Sequence, residues 1–201
     1  MYVPAHFAAP EGAALAFMRV HPFVMLVAID DGLPSISHVP VQVLDEGQRL
    51  RFHLARANPQ AALLAREVAA TAVFHGPHAY VSPRWYAAPN VPTWNYAAVH
   101  VRGPVRALDA AATTSAVAAL SREYEGPAGL GEFEHSAPYA ALLKGIVGFE
   151  LEVASCTAKF KLSQNRSAAD RAGVVAALAE DPRSEAREVA ALMQATSPPG
   201  Q

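Results

Sequence analysis

Residues 75–103 read HGPHAYVSPRWYAAPNVPTWNYAAVHVRG, and this stretch decides the fold. It holds both tryptophans and three of the six tyrosines, set among Pro77, Pro83, Pro89 and Pro92. Each proline fixes its own φ and pushes the residue before it toward extended backbone. Ser82-Pro83, Ala88-Pro89 and Val91-Pro92 therefore frame a stiff connection. From Val99 a strict alternation sets in, with Val99, Val101 and Val105 on one face of a strand and His100, Arg102 and Arg106 on the other. A rigid aromatic loop feeding into such a strand reads as one wall of a binding site. It reads equally as a loop covering the edge of a core, because Trp and Tyr bury large apolar areas wherever they sit.

Upstream of this stretch, Pro10 and Glu11 open a helix that carries Leu15 and Met18 and ends before His21-Pro22. Residues 23–29 form a continuous apolar run, short enough for a buried strand, closed by the turn Asp30-Asp31-Gly32. Residues 36–43 alternate, with Val39, Val41 and Val43 opposite His38, Pro40 and Gln42. Pro40 makes this an edge strand or a place where a ladder bond is missing. Asp45-Glu46-Gly47 turns the chain into residues 49–55, where Leu50, Phe52 and Leu54 alternate with Arg51 and His53. Asn58-Pro59 is a strong helix start, running to about Glu67 and leading into a strand over 68–74. The Gly-Pro between His75 and His78 is expected to turn the chain, which with no carboxylate or cysteine alongside argues against a metal pair.

Downstream, Asp109 caps an alanine-rich helix reaching about Glu123, residues 126–131 break it, and a short helix covers 137–143. A strand follows with Phe149, Leu151 and Val153 inward and Glu150 and Glu152 outward, continuing toward Leu162. Ser167-x-x-Asp170 resembles a capping box for a helix with Val174, Val175 and Leu178 on one face. Asp181-Pro182 ends that helix, a last one covers 184–195, and residues 197–201 read as a loose tail. About six alternating strands with short turns and inserted helices point to a mainly β, α+β protein built on an antiparallel barrel. Residues 1–166 read as the barrel domain and 167–201 as its C-terminal helical extension.

Composition narrows the function classes. Apolar residues make up 52% of the 201 and charged ones 17%, enough for a sizeable core and against disorder. A formal charge of −2 supplies no global field for nucleic acid. The single cysteine excludes an internal disulfide. No basic-then-apolar leader and no apolar run of about 18 residues is present, so the expected location is the cytoplasm. Phosphate-loop, dinucleotide-fold and nucleophile-elbow motifs are absent.

GPHAYVSPRWY followed by VPTWNYAAVHVRG, with MYVPAHF at the start, Asn58-Pro59-Gln60 between, and KFKLSQNR over 159–166, resembles the PaiB-like family of FMN-binding negative transcriptional regulators. That family is related to the FMN-binding split barrels that include pyridoxamine phosphate oxidases. The resemblance implies an antiparallel split β-barrel, FMN as cofactor, a homodimer with FMN in clefts between its subunits, and negative transcriptional regulation; DNA is a partner that the resemblance allows, but the sequence holds no DNA-binding motif. A flavin-dependent oxidoreductase acting on a small molecule in the dimer cleft is the alternative, and a binding module that keeps the barrel without tight flavin binding is a third reading.

FMN needs donors for a doubly charged phosphate, polar partners for its ribityl chain and a flat, partly apolar slot for its rings. The segment from His53 through Arg56 and Asn58 to Gln60 offers a cation and a helix start for the phosphate. Asn58 reads also as a plain cap, and Arg56 as a surface charge. His38 and Gln42 share a strand face where split barrels lay the flavin ring. Ser82, Trp85, Thr93, Trp94 and Asn95 supply stacking and hydrogen bonds, or a dimer interface. Lys161, two residues after Lys159 and on the same strand face, suits an anion, or forms a solvated basic edge. From Glu180 to Gln201 the chain carries Glu180, Asp181, Glu185 and Glu188 against Arg183 and Arg187, which leaves the final helix net negative, the wrong sign for phosphate. The two C-terminal helices are expected to pack on the barrel or cover the partner subunit, with Val174, Val175, Leu178, Val189, Leu192 and Met193 buried.

Overall fold

The computed structural model describes residues 1–10, 12–87 and 89–196. The expected helix start at Glu11, the Ala88 side of the Ala88-Pro89 frame and the tail 197–201 lie outside the described residues. The elements, in chain order, are α1 Ala13–Val20, β1 Phe23–Asp30, β2 Leu33–Pro40, β3 Gln42–Leu44, β4 Arg49–Ala55, α2 Pro59–Leu64, β5 Ala69–Val81, β6 Thr93–Ala107, α3 Ala110–Glu125, α4 Ala137–Leu143, β7 Ile146–Glu152, β8 Ser155–Lys161, α5 Ala168–Ala179 and α6 Ser184–Ala195. The eight described strands form one sheet in the order β2-β1-β5-β6-β7-β4-β3, with β8 on β6. No helix among the described residues is long and apolar enough to cross a membrane.

The chain divides into two compact units, one of residues 18–74 and 100–156, the other of 1–17, 75–99 and 157–201. In the first, β1 and β2 form a hairpin with Asp30 opposite Leu33. Asp31 and Gly32 both take positive φ there, 47° and 80°, as a two-residue turn matched to strand twist requires. The expected strand over 36–43 is divided. The chain leaves β2 at Pro40, the Val41 N–H goes to the Pro22 carbonyl, and β3 pairs with β4 instead. Proline removes a ladder donor, and β2 ends there at one limit of the strand order while β3 lies at the other. The two end strands are thus joined through the single residue Val41.

Alternation fills this unit's core. Leu50, Phe52 and Leu54 of β4 are buried, and Phe52 stacks on its register partner Phe149 of β7 at 5.6 Å. A fully buried side chain of that kind contributes about 1.5–3 kcal/mol. Asp109 caps α3 by accepting from Ala112 N, and Thr113 Oγ1 accepts from Gly148 N at 3.1 Å, which seats α3 on β7. Glu150, expected to face out, is only 3% exposed. Arg51 reaches it at 2.7 Å, Arg49 at 3.2 Å, and Arg106 contacts it as well. Three guanidiniums from neighbouring strands cover the carboxylate, which alternation alone places in solvent.

The Gly-Pro between His75 and His78 does not turn the chain; it lies inside β5. Extended backbone accommodates proline's φ, so only one donor is lost. The alternation slips by one there: Ala70, Ala72, Phe74 and Gly76 are buried, then Pro77, Ala79 and Val81. Likewise β6 begins at Thr93, six residues before the strict alternation, and Val99, Val101 and Val105 are buried as expected. Helix α2 is also shorter than expected, stopping at Leu64, and Glu67 takes a positive φ of 57°.

In the second unit the N-terminal segment docks on β8 through an Ala8–Lys159 bridge, and Phe17 packs on Phe160 at 5.3 Å. Ser167 caps α5 by accepting from Asp170 N. Val174, Leu178, Val189 and Met193 of α5 and α6 are buried, whereas Val175 and Leu192 are half-buried. Gly173 lets the Trp85 carbonyl approach α5, since a Cβ there would lie 2.5 Å from that oxygen.

Candidate functional site

The start of α2 gathers the most densely bonded of the sequence-predicted residues. Asn58 Oδ1 accepts from Gln60 N at 2.9 Å, and its Nδ2 donates to Ser37 Oγ at 3.1 Å. The cap thereby ties the helix start to the middle of β2, next to His38. Gln60 is 2% exposed, and its amide nitrogen donates to the carbonyls of Leu26 and Ser35 at 3.1 and 2.8 Å. It is an anchor that holds α2 on the β1–β2 hairpin. Arg56 remains exposed; Nε and Nη2 donate to the carbonyls of Lys144 and Ile146 at 3.1 and 3.0 Å. A guanidinium carries five N–H donors, so this bracing fixes the side chain and leaves donors over.

His38 lies on the outward face of the hairpin, stacked on Phe23 at 6.3 Å and in register with Met25. Phe23, Met25, Ile29 and Ile36 share that outward face and are all exposed, Phe23 to 64%. Gln42 does not join His38 on one strand, because the chain leaves β2 at Pro40. Its Nε2 donates instead to Glu123 of α3 at 3.2 Å. His53 is half-buried in β4 opposite Gly148, and burial pulls its imidazole below the usual range. Beside α2 lies a cavity of about 880 Å³, walled by Ala61, Ala65, Ala140, Leu143 and Val147, with Arg56 among its lining residues.

The remaining predicted residues belong to the other unit. Asn95 is fully buried, its Nδ2 donating to Ser163 Oγ at 3.0 Å and to Met193 Sδ at 3.3 Å, so it locks β6 to α6. Ser82 Oγ accepts from Arg84 N and caps the single turn Pro83–Trp85. Trp85 is half-buried, while Trp94 is 50% exposed. Lys161 Nζ donates to Thr93 Oγ1 and to the Trp94 carbonyl, at 2.5 and 2.6 Å.

Sequence reasoning missed several neighbours. The slip in β5 turns His75 and His78 to one side, with ring centroids 4.9 Å apart, and His78 lies 6.0 Å from Trp94. Glu185 of α6 stands 3.9 Å from His78 Nδ1. Burial, then the charge of His78, pulls His75 down, with Glu185 opposing. Among the described residues no group of three or more His, Cys, Asp or Glu is arranged to hold a metal ion. Ser37 carries no local signal that could have found it. The three arginines on Glu150 do, because Arg49, Arg51 and Arg106 all sit at outward positions of their strands.

An antiparallel sheet whose end strands are joined through one residue, with helices packed on it, is the split-barrel fold of flavin-binding proteins. Solved structures share it: the FAD and heme binding protein from Mycobacterium smegmatis, at TM-score 0.62 and 14% identity over 81% of this chain and 77% of that one, and the flavocytochrome Anf3 from Azotobacter vinelandii, at TM-score 0.56 and 17% identity over 79% and 72%. Residues 1–155 match the family described as "Putative FMN-binding domain", and the chain belongs to that family. It is 32% identical over 201 residues to Protease synthase and sporulation protein PAI 2 of Bacillus subtilis (strain 168), covering 96% of this chain and 97% of that protein. It is also 30% identical over 183 residues to the uncharacterized protein AN0679 of Emericella nidulans, covering 69% and 72%.

Proposed function

We propose that this chain is a homodimeric, FMN-binding regulator of the PaiB-like type, with the flavin phosphate beside Arg56 and Asn58. The observation that carries the reading is the juxtaposition at α2. A braced, exposed guanidinium stands two residues before a side-chain cap that is itself bonded to Ser37. The donor set suits FMN, since Arg56 and the Ser37 hydroxyl match a phosphate. Ser37 is in register with the buried Leu26, on the opposite side of β2 from His38, so the outward apolar face with Phe23, Met25 and His38 is left to a protein partner. Bound FMN supplies hydride and single-electron transfer, and the work of this chain is to hold and orient it. Gln60 positions the site from below without facing it.

The same apolar face supports the dimer, because a second copy would cover it. Direct DNA reading by α5 and α6 is disfavoured. Arg183 is spent on Asp181, and Arg187 on the carbonyls of Asp181 and Pro182. The regulatory role therefore rests on the response of the dimer to its flavin.

Arg56→Ala tests the assignment. Losing a charge-assisted contact weakens FMN binding by about 1.5–3 kcal/mol, roughly ten- to a hundred-and-fifty-fold. Fluorescence titration reads this directly, and unchanged affinity in a folded variant rejects the site.

A further inference from the structure

Lys159 and Lys161 project from one face of β8. Lys159 Nζ lies 5.8, 6.0 and 5.6 Å from the ring centroids of Tyr2, Phe7 and Tyr96, and Lys161 Nζ lies 5.7 Å from that of Phe7. Both ammoniums therefore sit within 6.0 Å of one ring. Arg166, just beyond the strand, stacks its guanidinium 5.3 Å from the Tyr86 ring. All three cations are half-buried. Among the described residues none of them meets a carboxylate within ion-pair distance. Their partners are neutral: ring faces, the Thr93 hydroxyl and the Trp94 carbonyl.

Gathering like charges in a partly desolvated place is unfavourable, and aromatic faces offset only part of that. Lys161 feels it, its ammonium pushed down first by burial and then by Lys159 and Arg166. Two of its three N–H donors are used, which leaves one to give. The hydroxyl of Tyr86 is buried without a hydrogen-bond partner beneath Arg166. A solvated basic edge has none of these properties, because its side chains extend into water and its hydroxyls are satisfied there.

We infer that Lys159, Lys161 and Arg166 form a site for a phosphate group, separate from the flavin phosphate assigned to Arg56. A planar carboxylate presents two oxygens and satisfies one cation fork. A tetrahedral dianion presents three, enough for the two lysines that share the Phe7 ring and for the planar donor of Arg166 five residues after Lys161. The ligand class is a small phosphomonoester or inorganic phosphate itself.

The test is calorimetric titration of inorganic phosphate into the FMN-loaded full-length protein at low salt, with acetate and chloride as controls. Saturable one-to-one binding is expected, with the flavin absorbance unchanged and acetate at least about tenfold weaker. Arg166→Gln and Lys159→Gln each weaken phosphate about tenfold or more while the FMN content and near-ultraviolet circular dichroism stay as in the wild type. Arg166→Gln alters only a stacked contact and so guards against misfolding in the Lys159 variant. Phosphate binding no better than acetate or chloride overturns the proposal, and release of FMN by phosphate reassigns the cations to the flavin. Tighter binding of a short DNA duplex that competes with phosphate and falls steeply with salt overturns it in favour of a nucleic-acid surface. If the purified protein takes up no FMN, phosphate binding by the flavin-free chain upholds this site while the flavin reading falls.

Discussion

The Nδ2 of Asn58 donates to the hydroxyl of Ser37 at 3.1 Å, while its Oδ1 caps the helix that follows. One side chain thus serves a helix terminus and a strand 21 residues away at once. Asn58→Ala loses both bonds and lowers stability by about 1–2 kcal/mol in urea unfolding. Asn58→Asp restores the cap but cannot donate to Ser37 as a carboxylate, so it recovers only part of the loss. Full recovery in the Asp variant refutes the double role.

Glu150 makes stability depend on acid. Burial works to raise its carboxyl, but the hydrogen bond from Arg51 and the charges of Arg106, Arg51 and Arg49 outweigh it and hold the group below the usual glutamate range. A depressed carboxyl stabilises the fold above its ordinary value, and that contribution is lost as the pH falls through the lower folded value. Glu150→Gln should therefore cost about 2 kcal/mol at neutral pH. The cost falls below the roughly 3–5 kcal/mol of a fully buried pair because the arginines are partly exposed and screened by solvent. Thermal melts across the acid range check it, with the gap to wild type narrowing below the ordinary glutamate range.

Gly103→Ala is expected to be severe. An added Cβ would overlap the Glu152 carbonyl oxygen and lie 2.8 Å from its carbonyl carbon. Those atoms are backbone held by the neighbouring bond from Ala154 N to the Arg102 carbonyl at 2.9 Å, so they cannot swing aside. A loss above about 3 kcal/mol, or failure to yield soluble protein, is the expected outcome. A melting temperature within a degree or two of the wild type contradicts it.

Met25→Glu and Ile36→Glu probe the apolar face of the β1–β2 hairpin. Each places a charge among exposed apolar neighbours and should leave the isolated fold intact. In the proposed dimer that charge is desolvated, weakening association by several kcal/mol. Sedimentation at micromolar concentration should show wild-type dimers and variant monomers; dimers in both variants rule out this face.

Local chemistry was legible in the sequence where it is self-contained. Asn58-Pro59, Asp109 and Ser167 cap helices because a cap involves only its own first turn, whereas the Asp170 carboxylate of the expected capping box accepts instead from Ala87 N at 2.9 Å. Pro40 marks a strand boundary because a missing N–H is a property of one residue. Gly76-Pro77 misled because the turn tendency of that pair is overridden when both flanks are strand. Glu150 misled because its burial depends on arginines about 45 and 100 residues away, which no period within one strand encodes. Within the candidate site, Arg56 and Asn58 were legible as a cation beside a cap. Gln60 and Asn95 were legible as polar residues but not as internal braces, since their partners are distant carbonyls and a Ser163–Met193 pair.

The division of the chain at Val41 also governs how copies of this protein can meet. The outermost strand β2 carries Pro34 and Pro40 among its eight residues, each withdrawing an amide donor from the ladder. An incoming strand from another molecule would find that border short of the hydrogen bonds on which sheet extension depends. The opposite border, β3, is only three residues long. Open-ended stacking of sheet upon sheet is thereby discouraged at both ends. The proposed dimer accordingly uses side chains standing off the hairpin's surface rather than its strand borders.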